Sequence, residues 1–273
     1  KKHQKHPDSP LVEQVPIKEI RMTNDSDRVV LITGAAGGIG RATVKYFFEK
    51  GWRVIGVDRS EFGETFPENG LFIQADAGDV EKIYQTAAAF SPSLDAVVNN
   101  AAIQISKPIL ETSHEDWDRS MDSNLRAVFF GCKAAFPLLK ASGSGAIVNV
   151  SSVHAVCTST NISVYAASKG GMLAMTRAMA IEWAMDNIRA NAILPGAVDT
   201  PMLRAGFQRG HISGGTVVDR LENLARKTVN GRVGQPEEIA HSIYFLADSN
   251  LSSFMTGQAM IVDGGATARL STE

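Results

Sequence analysis

Cysteine is scarce in this chain: Cys132 and Cys157 are its only two among 273 residues. Two thiols so far apart make neither a disulfide framework nor a zinc knuckle, and no CxxC or other activating motif surrounds either one. They read as reduced thiols of a cytoplasmic protein, and no metal site is expected. An excess of one charge is also lacking, since 27 Lys and Arg face 29 Asp and Glu for a formal net charge of -2. No basic field therefore argues for nucleic acid or for a membrane surface. No apolar run approaches the length that spans a bilayer, so no transmembrane helix is expected. Fixed-period repeats and internal linkers are missing too. What is present is an ordinary globular composition, 44% hydrophobic and 21% charged, in a chain long enough to bury a core.

The first 27 residues are polar and charged, carry Pro7, Pro10 and Pro16, and show no helical or strand period. They read as a tail, in part an expression leftover before Met22, in which His3 and His6 are solvated. From Arg28 short Val/Ile-rich runs alternate with longer helical stretches. The runs are RVVLIT, WRVIGVD, LFIQAD, LDAVVNN, GAIVNVSS, IRANAILPG and QAMIVDGG. Both faces of each run are apolar, as in strands buried between helix layers. Strands that alternate with helices need crossovers and form a parallel sheet. The expectation is one α/β domain over residues 28–273, a Rossmann-like doubly wound sheet of seven strands.

The first strand runs into a glycine turn and then an amphipathic helix, in VVLITGAAGGIGRATVKYFFEKG. Gly34, Gly38 and Gly40 are spaced G-x-x-x-G-x-G, which a strict G-x-G-x-x-G search misses. The mechanics are the same: the backbone turns sharply, approaches a ligand closely, and offers a helix N-terminus to a pyrophosphate. Gly37 and Ile39 belong to this turn. The second strand ends in Asp58, 18 residues after Gly40, where an acid hydrogen-bonds an adenosine ribose and repels a 2′-phosphate. NAD is therefore favoured over NADP. Arg59 pulls the other way, because a guanidinium holds such a phosphate. The residue before Gly38 is Gly37 rather than a cation, which returns weight to NAD.

Six motifs in order resemble the short-chain dehydrogenases/reductases: TGAAGGIG (33–40), NNAA (99–102), SNLRAVF with Asn124, NVSS with Ser152, YAASK (165–169) and PGAVDT (195–200). The resemblance covers about 28–266. One departure is visible, Ala102 where the family usually has glycine, which adds a methyl beside the cofactor. The resemblance implies a catalytic set of Asn124, Ser152, Tyr165 and Lys169. Tyr165 is the acid/base, and since a free tyrosine has a pKa near ~10 it needs help at neutral pH. A Lys169 ammonium on the same helix face lowers that pKa and also holds the nicotinamide ribose. Ser152 bonds the substrate oxygen, and Asn124 holds a water on a proton path. Asp76 and Ala77 are expected to flank the adenine, Asn100, Ala101 and Ala102 the ribose side, and Val198 and Thr200 the carboxamide. Pro195 and Gly196 mark the strand end beside them.

The resemblance implies hydride transfer between NAD(H) and a small-molecule alcohol or ketone. Residues 202–232 form the expected substrate loop, with Gly206, Gly210, Gly214 and Gly215 as mobile points. Gln104, His154, His211 and Met202 are candidate substrate contacts. A His154 in the pocket favours a sugar, polyol or other hydroxylated molecule, whereas Met202, Leu203 and Phe207 suit an apolar wall. The helical stretches 124–141 and 164–185 are apolar almost all round, so one face is left for a second subunit; the family habit is a homotetramer. Two other readings stand beside this one: an NADPH-dependent 3-oxoacyl thioester reductase, and a cofactor-sensing regulator without turnover.

Overall fold

The computed structural model describes residues 28–207 and 215–269. The tail of residues 1–27, with His3 and His6, lies outside the described residues, as do Gly210, His211 and Gly214 of the substrate segment.

The seven strands are β1 (Val29–Thr33), β2 (Arg53–Asp58), β3 (Leu71–Gln74), β4 (Ala96–Asn99), β5 (Ala146–Val150), β6 (Arg189–Pro195) and β7 (Ala259–Val262). They form one parallel sheet in the order β3-β2-β1-β4-β5-β6-β7. All seven lie within the apolar runs expected. β1 is buried along its whole length, and its residues alternate between two cores. Val29 and Leu31 pack with the layer of α2 (Val80–Phe90), α4 (Ala127–Ser142) and α5 (Ser163–Glu182). Val30 and Ile32 pack with α1 (Gly38–Glu49) and α8 (Pro236–Ala247) on the opposite face. Strand period two thus builds both layers of the sandwich from one segment.

The chain leaves β1 toward β2 and β3 on one side, then returns to lay β4 on the other. This reversal opens a crevice at the carboxyl ends of β1 and β4, where open α/β sheets bind ligands. Below the sheet, Arg28 and Asp248 form a buried ion pair at 2.7 Å, with Tyr244 donating to the same carboxylate at 3.0 Å. They tie the start of β1 to the end of α8, away from the crevice.

The expected helix over 124–141 begins earlier and contains a defect. Helix α3 (His114–Met121) continues into α4 through a π-turn, Asp122–Arg126. A π-turn inserts one residue and redirects the side chains within it, often at functional sites. Here it turns Asn124 wholly inward.

Candidate active site

The glycine turn is built by close approach. Gly34 has φ of +67°, and a Cβ there would lie 2.8 Å from the backbone of Ala101. A Cβ on Gly40 would lie 1.9 Å from the Gly34 carbonyl oxygen, so this glycine closes the turn from behind and does not reach the crevice. Gly38 faces Thr200 at a Cβ distance of 2.8 Å. Gly37 caps α1 with no side chain bonding the first turn. A Cβ there would meet nothing nearer than the Gly34 oxygen at 3.3 Å. The N-terminus of α1 therefore opens onto an uncluttered backbone cradle, which fits a pyrophosphate.

Asn100 clamps this turn: its Nδ2 donates to the carbonyls of Thr33 at 3.1 Å and Gly34 at 3.0 Å. Thr33 Oγ1 in turn accepts from the N–H groups of Asn100 and Ala101. Asp58 reaches back from β2, its carboxylate accepting from Ala36 N–H at 3.0 Å and Ser60 N–H at 2.9 Å. These groups line a single cavity of about 600 Å³. Its wall includes Gly34, Gly37, Gly38, Ile39, Asp58, Arg59, Asp76, Ala77, Asn100, Ala101, Ala102, Pro195, Gly196, Val198 and Thr200. Gly40 alone of the expected cofactor residues stays behind the wall.

The same cavity is lined by Ser152, Tyr165 and Lys169, and by Gln104, His154 and Met202. Tyr165 and Lys169 lie on the first two turns of α5, and both are buried. Lys169 Nζ donates to the Val150 carbonyl at 2.7 Å and sits 5.7 Å from the centre of the Tyr165 ring. Ser152 Oγ accepts from the N–H of His154 at 3.2 Å, which leaves its own proton available to an oxygen in the cavity. The His154 ring meets Tyr165 edge-on at 6.1 Å, and its Nδ1 is 3.4 Å from Thr158 Oγ1. Ser152 therefore caps the turn after β5, and His154 within that turn lines the cavity.

Burial acts on the pair in a direction the motif does not reveal. Tyr165 is pushed up to about 12 by burial, partly offset by the Ser152 hydroxyl. Lys169 is pulled down to about 7 by burial. The expected lowering of the tyrosine pKa is thus outweighed in the protein alone. Desolvation disfavours both charged forms, and the ammonium already spends a hydrogen bond on Val150.

Asn124 is held through both ends of its side-chain amide. Its Oδ1 accepts from Ile103 N–H at 2.8 Å. Its Nδ2 donates to Ile103 O at 2.9 Å and to Ser168 Oγ at 3.1 Å. The side chain is fully buried and is absent from the cavity wall. It braces the strand exit at Ile103 against α5, next to Lys169. Deeper in α5, Asn99 Nδ2 donates to Asn149 Oδ1 at 2.8 Å and Asn149 Nδ2 to Thr176 Oγ1 at 2.9 Å. This buried polar chain fixes the rotation of α5 against β4 and β5.

The family described as enoyl-(acyl carrier protein) reductase matches residues 34–267. The chain belongs to the short-chain dehydrogenase/reductase family. A tropinone reductase homolog of Arabidopsis thaliana is 35% identical over 252 residues, 88% of this chain and 92% of the relative. A cis-4-hydroxycyclohexanecarboxylate dehydrogenase of Sinomonas cyclohexanicum is 36% identical over 254 residues, 89% of this chain and 98% of the relative. Among solved structures, the ligand-free aldohexose dehydrogenase of Thermoplasma acidophilum matches with a TM-score of 0.84. It shares 31% identity over 90% of this chain and 96% of that one.

This short-chain dehydrogenase/reductase also places on the wall residues that no motif marks: Ser159, Thr160, Leu203, Gly206, Leu224 and Lys227. Three of them, Leu203, Gly206 and Leu224, lie on α6 (Pro201–Phe207) and α7 (Val217–Ala225) of the expected substrate segment. Lys227 follows α7. For Leu224 and Lys227 the sequence signal is their place after the sixth strand.

Proposed function

We propose that this protein is an NAD-dependent oxidoreductase of a secondary alcohol and its ketone, with Tyr165 moving the proton. The observation that carries the reading is the meeting of Ser152, Tyr165 and Lys169 with the uncapped glycine turn in one cavity. When bound there, the nicotinamide cofactor supplies or takes up the hydride. Gly37, Gly38 and Ile39 are the residues that would hold its pyrophosphate, and Asp58 its adenosine ribose. Asp58 favours NAD, and its neighbour Arg59 is the residue that would serve NADP instead.

The protein's own part is proton transfer and orientation. With its pKa raised, Tyr165 is a hydrogen-bond donor at neutral pH and gives its proton to the oxygen of a ketone being reduced. Ser152 donates to the same oxygen and shares the charge that develops on it. In the oxidative direction Tyr165 must accept a proton. Burial opposes the phenolate this requires, while Ser152 and the charged form of Lys169 favour it. Asn124 is a positioning residue that keeps Ile103 and α5 in place.

Hydroxyl groups at Ser152, Ser159 and Thr160, with Gln104 and His154, support a hydroxylated small substrate. The named substrates of the aldohexose and hydroxycyclohexanecarboxylate dehydrogenases are consistent with that class. Phe129 and Phe130 on α4, each more than two-fifths exposed, and Ile181 on α5, 78% exposed, support a subunit contact through these helices and a homotetramer.

The test is oxidation with NAD across sugars, polyols, hydroxy acids and cyclic alcohols, by the wild type and Tyr165→Phe. The phenylalanine variant should bind NADH as before and lose turnover by ~10³-fold or more. Undiminished turnover removes Tyr165 from the mechanism. A wild type that binds cofactor but turns over no alcohol or ketone favours the sensing reading.

A further inference from the structure

We infer that the alcohol this site takes carries a carboxylate, and that Lys227 is the residue that reads it. The inference rests on the oxidoreductase reading above and adds a substrate class to it.

The two sides of the cavity differ in charge. Its only carboxylates among the described wall residues are Asp58 and Asp76. They stand at the ends of β2 and β3, on the far side of β1 from the proton-transfer groups. The wall built after β4, β5 and β6 holds no Asp or Glu among its described residues. It holds two lysines. Lys169 is buried, and its hydrogen bond goes to Val150. Lys227 is exposed and has no ion pair among the described residues.

Local structure puts Lys227 there. The chain leaves α7 through a turn in which Lys227 N–H donates to the Leu224 carbonyl at 3.0 Å. Residues three apart in such a turn share a face, so Leu224 and Lys227 line the cavity together. Met202 and Leu203 continue the apolar surface on α6. The part of the wall built by α6 and α7 is therefore an apolar strip with one cation at its edge. An amine substrate would find no counter-charge on this side. An uncharged polyol could use the hydroxyls of Ser159 and Thr160 but would gain nothing from the cation. An aliphatic or alicyclic body with the alcohol at one end and a carboxylate at the other satisfies all three features.

The probes are 4-hydroxycyclohexanecarboxylate and its methyl ester, which share ring and alcohol and differ in charge. Binding is measured by calorimetry on the full chain saturated with NADH, where an alcohol binds without turning over. The acid should bind roughly tenfold more tightly than the ester, the size expected for one charge-assisted contact. Lys227→Met should erase that difference while leaving ester and NADH affinities unchanged, and Lys227→Arg should retain it. Equal binding of acid and ester by the wild type overturns the inference. So does a Lys227→Met variant that loses NADH affinity and weakens both probes alike, which would assign the cation to the cofactor pyrophosphate. Failure of the underlying reading looks different: the acid binds with the expected preference, yet no alcohol is oxidised with NAD.

Discussion

Replacing Asn124 with alanine separates bracing from chemistry. The side chain makes three hydrogen bonds, two to the backbone of Ile103 and one to Ser168 Oγ, and has no contact with the cavity. Alanine leaves the Ile103 N–H and C=O without their partners. Each such group costs about 1–3 kcal/mol when sealed from water. Ile103 is half-buried and water can reach part of it, so the lower part of that range applies. The expected destabilisation is roughly 2–4 kcal/mol, or about 5–15 °C in melting temperature for a domain of this size. Turnover should fall as well, because Ser168 precedes Lys169 on α5 and Ile103 precedes Gln104 on the wall. Asn124→Asp keeps an acceptor for the Ile103 N–H but buries a carboxylate oxygen against the Ile103 carbonyl, so it should destabilise at least as much. Thermal melts and steady-state kinetics on the same preparations decide the matter. An alanine variant that melts with the wild type yet loses turnover ~100-fold or more would refute bracing and give Asn124 a direct part in proton transfer.

Three further outcomes are expected. Asp58→Ala should lower kcat/KM with NAD by roughly tenfold relative to NADP; a wild type that already prefers NADP would remove Asp58 as the discriminating residue. Lys169 sits at about 7 when folded, against an ordinary 10.5, so the unfolded chain binds an extra proton between those values and stability rises with pH across the window. The rise is at most roughly 4–5 kcal/mol, and Lys169→Met should abolish it; identical stability–pH profiles for the two proteins would contradict the burial of the charge. Sedimentation velocity should find a tetramer that Phe130→Glu weakens, and a monomeric wild type would leave the exposed faces of α4 and α5 without that role.

The parts of this site legible in the sequence are those set by spacing along a few residues. The glycine turn is one, because Gly34, Gly38 and Gly40 each meet a neighbour that only the absence of a side chain allows. Tyr165 and Lys169 are another, because a helix puts positions four apart on one face. The strands were legible because both faces of the sheet are covered, so each reads as an unbroken apolar run. What spacing does not carry is the partner a side chain finds across the fold. Asn124 was expected to hold a water, and nothing in the spacing showed that Ile103, 21 positions earlier, bonds both ends of its amide. Lys169 was expected to activate the phenol by its charge, yet the surrounding core that buries it disfavours that charge. The lysine is pulled down and the tyrosine pushed up, both by burial, a direction that the spacing of the motif does not carry. Burial disfavours both charged forms, so a group that enters the cavity and pairs with either one shifts the balance toward ammonium and phenolate.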